Sequence, residues 1–184
     1  ISRNPNITMK DIKENSDKPW DWYWISRNPN ITMKDILLNP DRPWDWKEIS
    51  RNPNIKIKDI INHEDKPWDY GYMSCNPNLT MEFINNNIDK SWSWRCISMN
   101  KNITLFDIIN NPNKPWNWNK ISENPNINLT DIQNSPYLPW NWQFVSKNPN
   151  LTLDFININS SKNWNWDYIS QNPFTKDKAN FISN

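Results

Sequence analysis

One 24-residue unit recurs along this chain with no insertion or deletion. A copy at 25–48 reads ISRNPNITMKDILLNPDRPWDWKE, and 1–24, 49–72, 73–96, 97–120, 121–144 and 145–168 repeat its pattern. A partial eighth copy occupies 169–184. Such a sequence is confined to architectures in which a small unit stacks on copies of itself. The expected organisation is seven tandem repeats over 1–168 and a partial, capping repeat over 169–184, in a single elongated domain. An enzyme needs one unique constellation of groups. A strict repeat offers equivalent ones over and over, so the chain is read as non-enzymatic, with no catalytic residues, cofactor or metal.

Composition narrows the class further. The 21 basic and 20 acidic side chains leave a formal net charge of +1, which does not favour a phosphate-seeking protein. Mean hydropathy of −0.96 points towards disorder. The 14 Trp point the other way, because disordered segments are poor in aromatics. No apolar run approaches the length that spans a membrane. The single glycine, Gly71, contrasts with 35 Asn, so Asn is expected to take the left-handed position that ends helices. Because the sequence opens on Ile1, in phase with the repeat, it is read as a fragment.

Within the unit, Thr8, Thr32, Thr80, Thr104 and Thr152 occupy the eighth position, with Lys56 and Asn128 as variants. Asp11, Asp35, Asp59, Asp107 and Asp131 follow three residues later, close to a capping box. Apolar residues at spacings of three and four come next (Met33, Ile36, Leu37; Leu105, Ile108, Ile109), predicting a short helix with one buried face. It should stop near Asn39-Pro40 or Asn111-Pro112. A second helix is expected to be capped by Asp17, Asp41, Asp65, Asp89 or Asn113, with Pro19, Pro43, Pro67, Pro115 or Pro139 in its first turn. It should end at the Asn found in every copy, from Asn4 to Asn172. Helices this short are unstable alone, so stacking must stabilise them. The expected structural core is the Trp pair: Trp20, Trp44, Trp68, Trp92, Trp116, Trp140 and Trp164 at one position, and Trp22, Trp46, Tyr70, Trp94, Trp118, Trp142 and Trp166 at the other. The fold class is therefore all-α, an α-solenoid of helix-turn-helix repeats. A β-solenoid is the rival, since Trp-x-Trp alternates with strand period and stacked Asn can form ladders.

The motifs NPNIT, DII, NPxKPWxW and IS at this period resemble tandem-repeat proteins encoded in many copies by giant viruses of the mimivirus group. The last copy, with NPF in place of NPN, resembles the way those arrays end. The resemblance covers the whole chain. It implies a viral source, in the virion or the host cytoplasm, and a repeat architecture, but no activity. High Asn, Ile and Lys content suits an A+T-rich genome.

Other features have plain structural readings. His63, the only histidine, replaces an Asn or Ser at a helix end. Cys75 and Cys96 fall at unlike heights, which disfavours a disulfide, and with one histidine they cannot complete a zinc site. Seven Asn-x-Ser/Thr sequons (Asn6, Asn30, Asn78, Asn102, Asn128, Asn150, Asn159) follow mostly from the capping Thr rather than from glycosylation. A row of cations (Lys18, Arg42, Lys66, Lys90, Lys114, Lys162) precedes the Trp pair, an arrangement that could hold single-stranded nucleic acid. Asp21, Asp45 and Asp69 are expected to pair with the first three of them. Positions 3, 10 and 24 of the unit vary most. Arg3, Arg27, Arg51, Met99, Glu123 and Lys147, then Lys34, Lys58 and Phe106, then Tyr72 and Phe144, form the candidate surface for a protein partner. Self-association through stacked ends is the other partner reading, with Lys176, Asp177 and Lys178 as a polar cap at one end. The start at Ile1 has no such cap and is expected to be sticky unless more repeats precede it.

Overall fold

A computed structural model describes residues 1–174. Fourteen α-helices and no strands occur among them, two helices to a repeat. The chain divides into two compact units, Ile1–Ser93 and Trp94–Asn184. The first holds α1 (Met9–Glu14), α2 (Trp22–Arg27), α3 (Met33–Leu37), α4 (Trp46–Ser50), α5 (Ile57–Asn62), α6 (Tyr70–Met73) and α7 (Met81–Asn86). The second holds α8 (Trp94–Met99), α9 (Leu105–Asn110), α10 (Trp118–Ser122), α11 (Leu129–Asn134), α12 (Trp142–Val145), α13 (Leu153–Ile158) and α14 (Trp166–Gln171). In each unit alternate helices pack together, α2 on α4 and α4 on α6, then α8 on α10 and α10 on α12. Each is thus a stack of helix pairs of the α-solenoid kind.

The first helix of a pair begins as its sequence requires. Thr32 caps α3: its Oγ1 accepts from Asp35 N, while Asp35 Oδ2 accepts from Thr32 N at 2.9 Å. The same reciprocal box starts α1, α9 and α11, where Asn128 takes the place of Thr. The fourth helical position always goes into the core, as Ile36 does, joined by the first position in α3, Met33, and by the third in α7 and α13, Phe83 and Phe155. Leu37 and Ile109, expected on the buried face, are 40% and 44% exposed. A helix of five or six residues turns its fifth position outward, and the core is filled as well from the turn preceding the helix. Ile31, Ile55, Leu79, Ile103, Ile127 and Leu151 lie outside any helix and are almost fully buried.

The second helix starts three residues later than its proline suggests. Trp44 N donates to Arg42 O at 2.8 Å across Pro43, and the same three-residue turn recurs in the other repeats. This is an inverse γ-turn, whose central φ the pyrrolidine ring already satisfies. Position 17 therefore caps nothing. The cap is position 21: Asp45 Oδ1 accepts from Lys47 N and Glu48 N, and Asn117 and Asn165 cap α10 and α14.

Left-handed Asn is likewise absent: Phe174 is the only non-glycine residue with positive φ among the described residues. Asn acts through its side chain instead. In N-P-N-I, Asn52 Oδ1 accepts from Asn54 N at 2.9 Å, while Ile55 N donates to Asn52 O at 3.1 Å, an Asx turn inside a β-turn. The Asn52 amide then points back into the preceding repeat and donates to Ser26 O at 2.8 Å and Asn28 O at 2.9 Å. Asn28 and Asn76 continue this ladder in the first unit, and Asn124, Asn148 and Asn172 form it in the second. Stacked Asn, a feature equally suited to a β-solenoid, here clamp helical repeats together.

Candidate interaction surface

Two Trp rings per repeat have different jobs. The first is a frame residue. Trp44, Trp68, Trp116, Trp140 and Trp164 are buried, and Trp20 and Trp92 half-buried. Each indole Nε1 donates to the carbonyl at the end of the preceding helix, Asn39 O for Trp44 at 2.9 Å and His63 O for Trp68 at 2.8 Å. His63 is thus a helix-ending residue that accepts through its backbone, and any residue type serves there. The second ring lies at the margin. Trp22, Trp46, Tyr70, Trp94, Trp118 and Trp142 are half-buried, each meeting the first Trp of the next repeat edge-on, as Trp46 meets Trp68 at 5.1 Å. Trp166 is no core residue: it is 65% exposed.

The cation row before the Trp pair is taken up by those margin rings. Arg42 lies over Trp22 at 5.6 Å, Lys90 over Tyr70 at 5.5 Å, Lys114 over Trp94 at 5.9 Å and Lys162 over Trp142 at 5.1 Å. The expected pairing with Asp21, Asp45 and Asp69 does not form, since those carboxylates cap helices. Lys18 and Lys66 pair instead with their neighbours Asp17 and Asp65. The Lys66 ammonium holds the Asp65 carboxyl below its ordinary value. All six cations of the row are thus engaged, four with rings and two with carboxylates.

Positions 3 and 24 come together, and position 10 stays apart on the first helix of each pair. Lys34, Lys58 and Phe106 are exposed there, Phe106 to 75%. In the first unit Arg3 and Arg27 both lie over the Trp24 ring, at 4.5 and 5.6 Å from its centre. Further along, Arg51 lies over Tyr72 at 5.2 Å and binds the buried Glu48 through Nε at 2.8 Å and Nη2 at 2.7 Å. In the second unit Lys147 sits over Tyr168 at 3.8 Å and over Phe144 at 5.5 Å, Lys120 pairs with Glu123, and Met99 is half exposed. The sequence marks these positions only by their variety. What it does not reveal is that these positions meet across successive second helices, so that a cation lies over a ring at Trp24, Tyr72, Phe144 and Tyr168.

Three of the sequon asparagines belong to the same ladders. Asn30, Asn78 and Asn150 use the amide nitrogen to donate to carbonyls of the preceding repeat, at 2.7–2.8 Å to Pro5 O, Pro53 O and Pro125 O. Neither Cys75 nor Cys96 is a free thiol, against the sequence expectation. Among the described residues no group of three or more His, Cys, Asp and Glu could hold a metal, and no helix is long and apolar enough to cross a membrane. The polar cap expected at Lys176–Lys178 lies outside the described residues. No protein-family model matches the chain, and no curated protein or solved structure is significantly similar to it.

Proposed function

We propose that the protein is a non-enzymatic repeat scaffold that binds another protein along its second helices, in viral assembly or in contact with host proteins. One observation carries this reading. The residues that hold the repeats together (Ser50, Asn52 and Trp68 with their equivalents) barely change, whereas the residues bordering them at positions 3 and 24 change in charge, size and aromaticity. A constant frame carrying a variable row is what modular recognition requires. The resemblance of the NPNIT and PWxW motifs to giant-virus repeat arrays supports the viral setting, in the particle or the host cytoplasm.

A photo-cross-linking residue placed in turn at Arg27, Lys147 and, on the first helix, Lys58 tests the reading in extracts of the natural source. Capture of one discrete protein from Arg27 or Lys147 and not from Lys58 supports it. Equal labelling at all three positions contradicts it. Capture of nucleic acid from Arg27 or Lys147 would favour the alternative, a nucleic-acid-associated protein, for which the occupied cation row gives little room. Self-association through stacked ends is read separately by sedimentation velocity: a single monomeric species at high concentration rules it out.

A further inference from the structure

We infer that the row in residues 1–93 receives an acidic, extended segment of a partner protein, with one carboxylate held by Arg3 and Arg27 beside Trp24. This deepens the scaffold reading and rests on it. The chain displays the same chemistry completed within itself. Arg51 is covered by the Tyr72 ring and gripped by both oxygens of Glu48, a bidentate pair at the edge of the ring. Arg27 stands one repeat earlier. It has its ring, Trp24, but the residue that supplies Glu48 to Arg51 is here Trp24 itself. Arg3 lies over the same ring. Neither Arg3 nor Arg27 makes an ion pair or hydrogen bond among the described residues, and the one buried carboxylate nearby, Glu48, is committed to Arg51.

The surroundings fit such an occupant. Ser2, Pro5, Asn28 and Pro29 complete a cleft of about 150 Å³ around Arg3, Trp24 and Arg27, room for a single short side chain. A guanidinium already held against an aromatic ring loses little freedom on accepting a carboxylate, and its fork matches both oxygens. A nucleic-acid backbone asks for something else, a run of cations at phosphate spacing. Residues 1–93 carry 13 Lys and Arg against 14 Asp and Glu, and the unpaired cations of the row are two. An acidic peptide needs no more than that.

The test is fluorescence anisotropy of a glutamate decapeptide bearing a neutral dye, titrated with the intact chain. A glutamine decapeptide and a deoxythymidine dodecamer serve as comparisons. The expected result is saturable binding of the glutamate peptide, weakened by salt and reduced about tenfold or more by Arg3→Ala with Arg27→Ala. The Lys147→Ala variant of the second unit should bind within about twofold of the parent. Far-UV circular dichroism checks that each variant is folded, and Arg27→Lys, which keeps charge but loses the fork, should bind with intermediate strength. No binding of the glutamate peptide, tighter binding of the oligonucleotide, or equal loss in Lys147→Ala would each overturn the inference. Should the peptide fail while cross-links persist at Lys147, the acidic-segment inference falls and the scaffold reading stands.

Discussion

Replacing Asn52 tests how the repeats are held. The side chain is 1% exposed, and it donates to Ser26 O and Asn28 O while accepting from Asn54 N. Asn52→Ala strands three backbone groups in a place water reaches poorly. At about 1–3 kcal/mol for each buried group left unsatisfied, and allowing for partial relaxation, the loss should be about 3–5 kcal/mol. Asn52→Asp separates hydrogen bonding from size. The shape is kept, but an acceptor replaces the donor facing two carbonyls, so burial and those carbonyls should raise the carboxyl pKa above its unfolded value of about 3.9. A raised pKa means that the folded state favours the protonated acid. The destabilisation is therefore smallest below about pH 4 and deepens as pH rises to the folded pKa, by about 1.4 kcal/mol for each tenfold difference in proton affinity between the folded and unfolded states. Urea midpoints read by circular dichroism at pH 3.5 and pH 7, with exposed Asn62→Ala as control, make the comparison. A midpoint for Asn52→Ala within about 1 kcal/mol of the parent would refute the clamp, and a pH-independent Asn52→Asp would refute its donor role.

Three further outcomes follow from the same geometry. Trp116→Ala should cost about 3–5 kcal/mol and Trp118→Ala about 1–2 kcal/mol, because the first ring is buried and hydrogen-bonded and the second is only half-buried, packing edge-on against Trp140; equal losses in urea titrations would contradict the division of labour. Trp166→Ala should leave the midpoint within about 0.5 kcal/mol, as expected of an exposed ring. The Thr8 hydroxyl and backbone N–H hold the Asp11 carboxyl below its ordinary value, so the capping box helps at neutral pH and is lost as pH falls through that lowered pKa. In Thr8→Ala the Asp11 carboxyl should titrate at higher pH, read from side-chain carbon shifts by NMR; an unchanged titration would contradict the box.

Much of this fold is legible in the sequence because its signals are local. Thr-x-x-Asp states a reciprocal hydrogen bond between neighbours, and that bond is present at α1, α3 and α9. The errors share a cause, which is that partners 19 to 26 residues away decide the outcome. Position 21 caps the second helix, and its own N–H is held by a serine of the preceding helix, as Asp45 N is by Ser26 Oγ at 2.9 Å. Asn has no need of a left-handed backbone once a neighbouring repeat offers carbonyls to its amide. Pro43 reads equally well as a first helical residue or as the centre of a γ-turn, and only the burial of Trp44 behind it decides. For the candidate surface the variety of positions 3 and 24 is visible in one dimension. Their union into a row, and the separation of position 10 from it, depend on which residues of successive second helices meet.

The central claim is that each repeat has one Trp in the frame and leaves the other aromatic at the margin of the presented surface. Indole hydrogen exchange reads it directly. Seven indoles, those of Trp20, Trp44, Trp68, Trp92, Trp116, Trp140 and Trp164, donate Nε1–H to a carbonyl at 2.8–2.9 Å. Trp22, Trp24, Trp46, Trp94, Trp118, Trp142 and Trp166 make no such bond among the described residues. In heteronuclear NMR spectra recorded after transfer to deuterated water, the first seven indole signals should persist, those of interior repeats longest, while the other seven vanish early. Fourteen signals decaying together, or protection spread over both sets, would contradict the account.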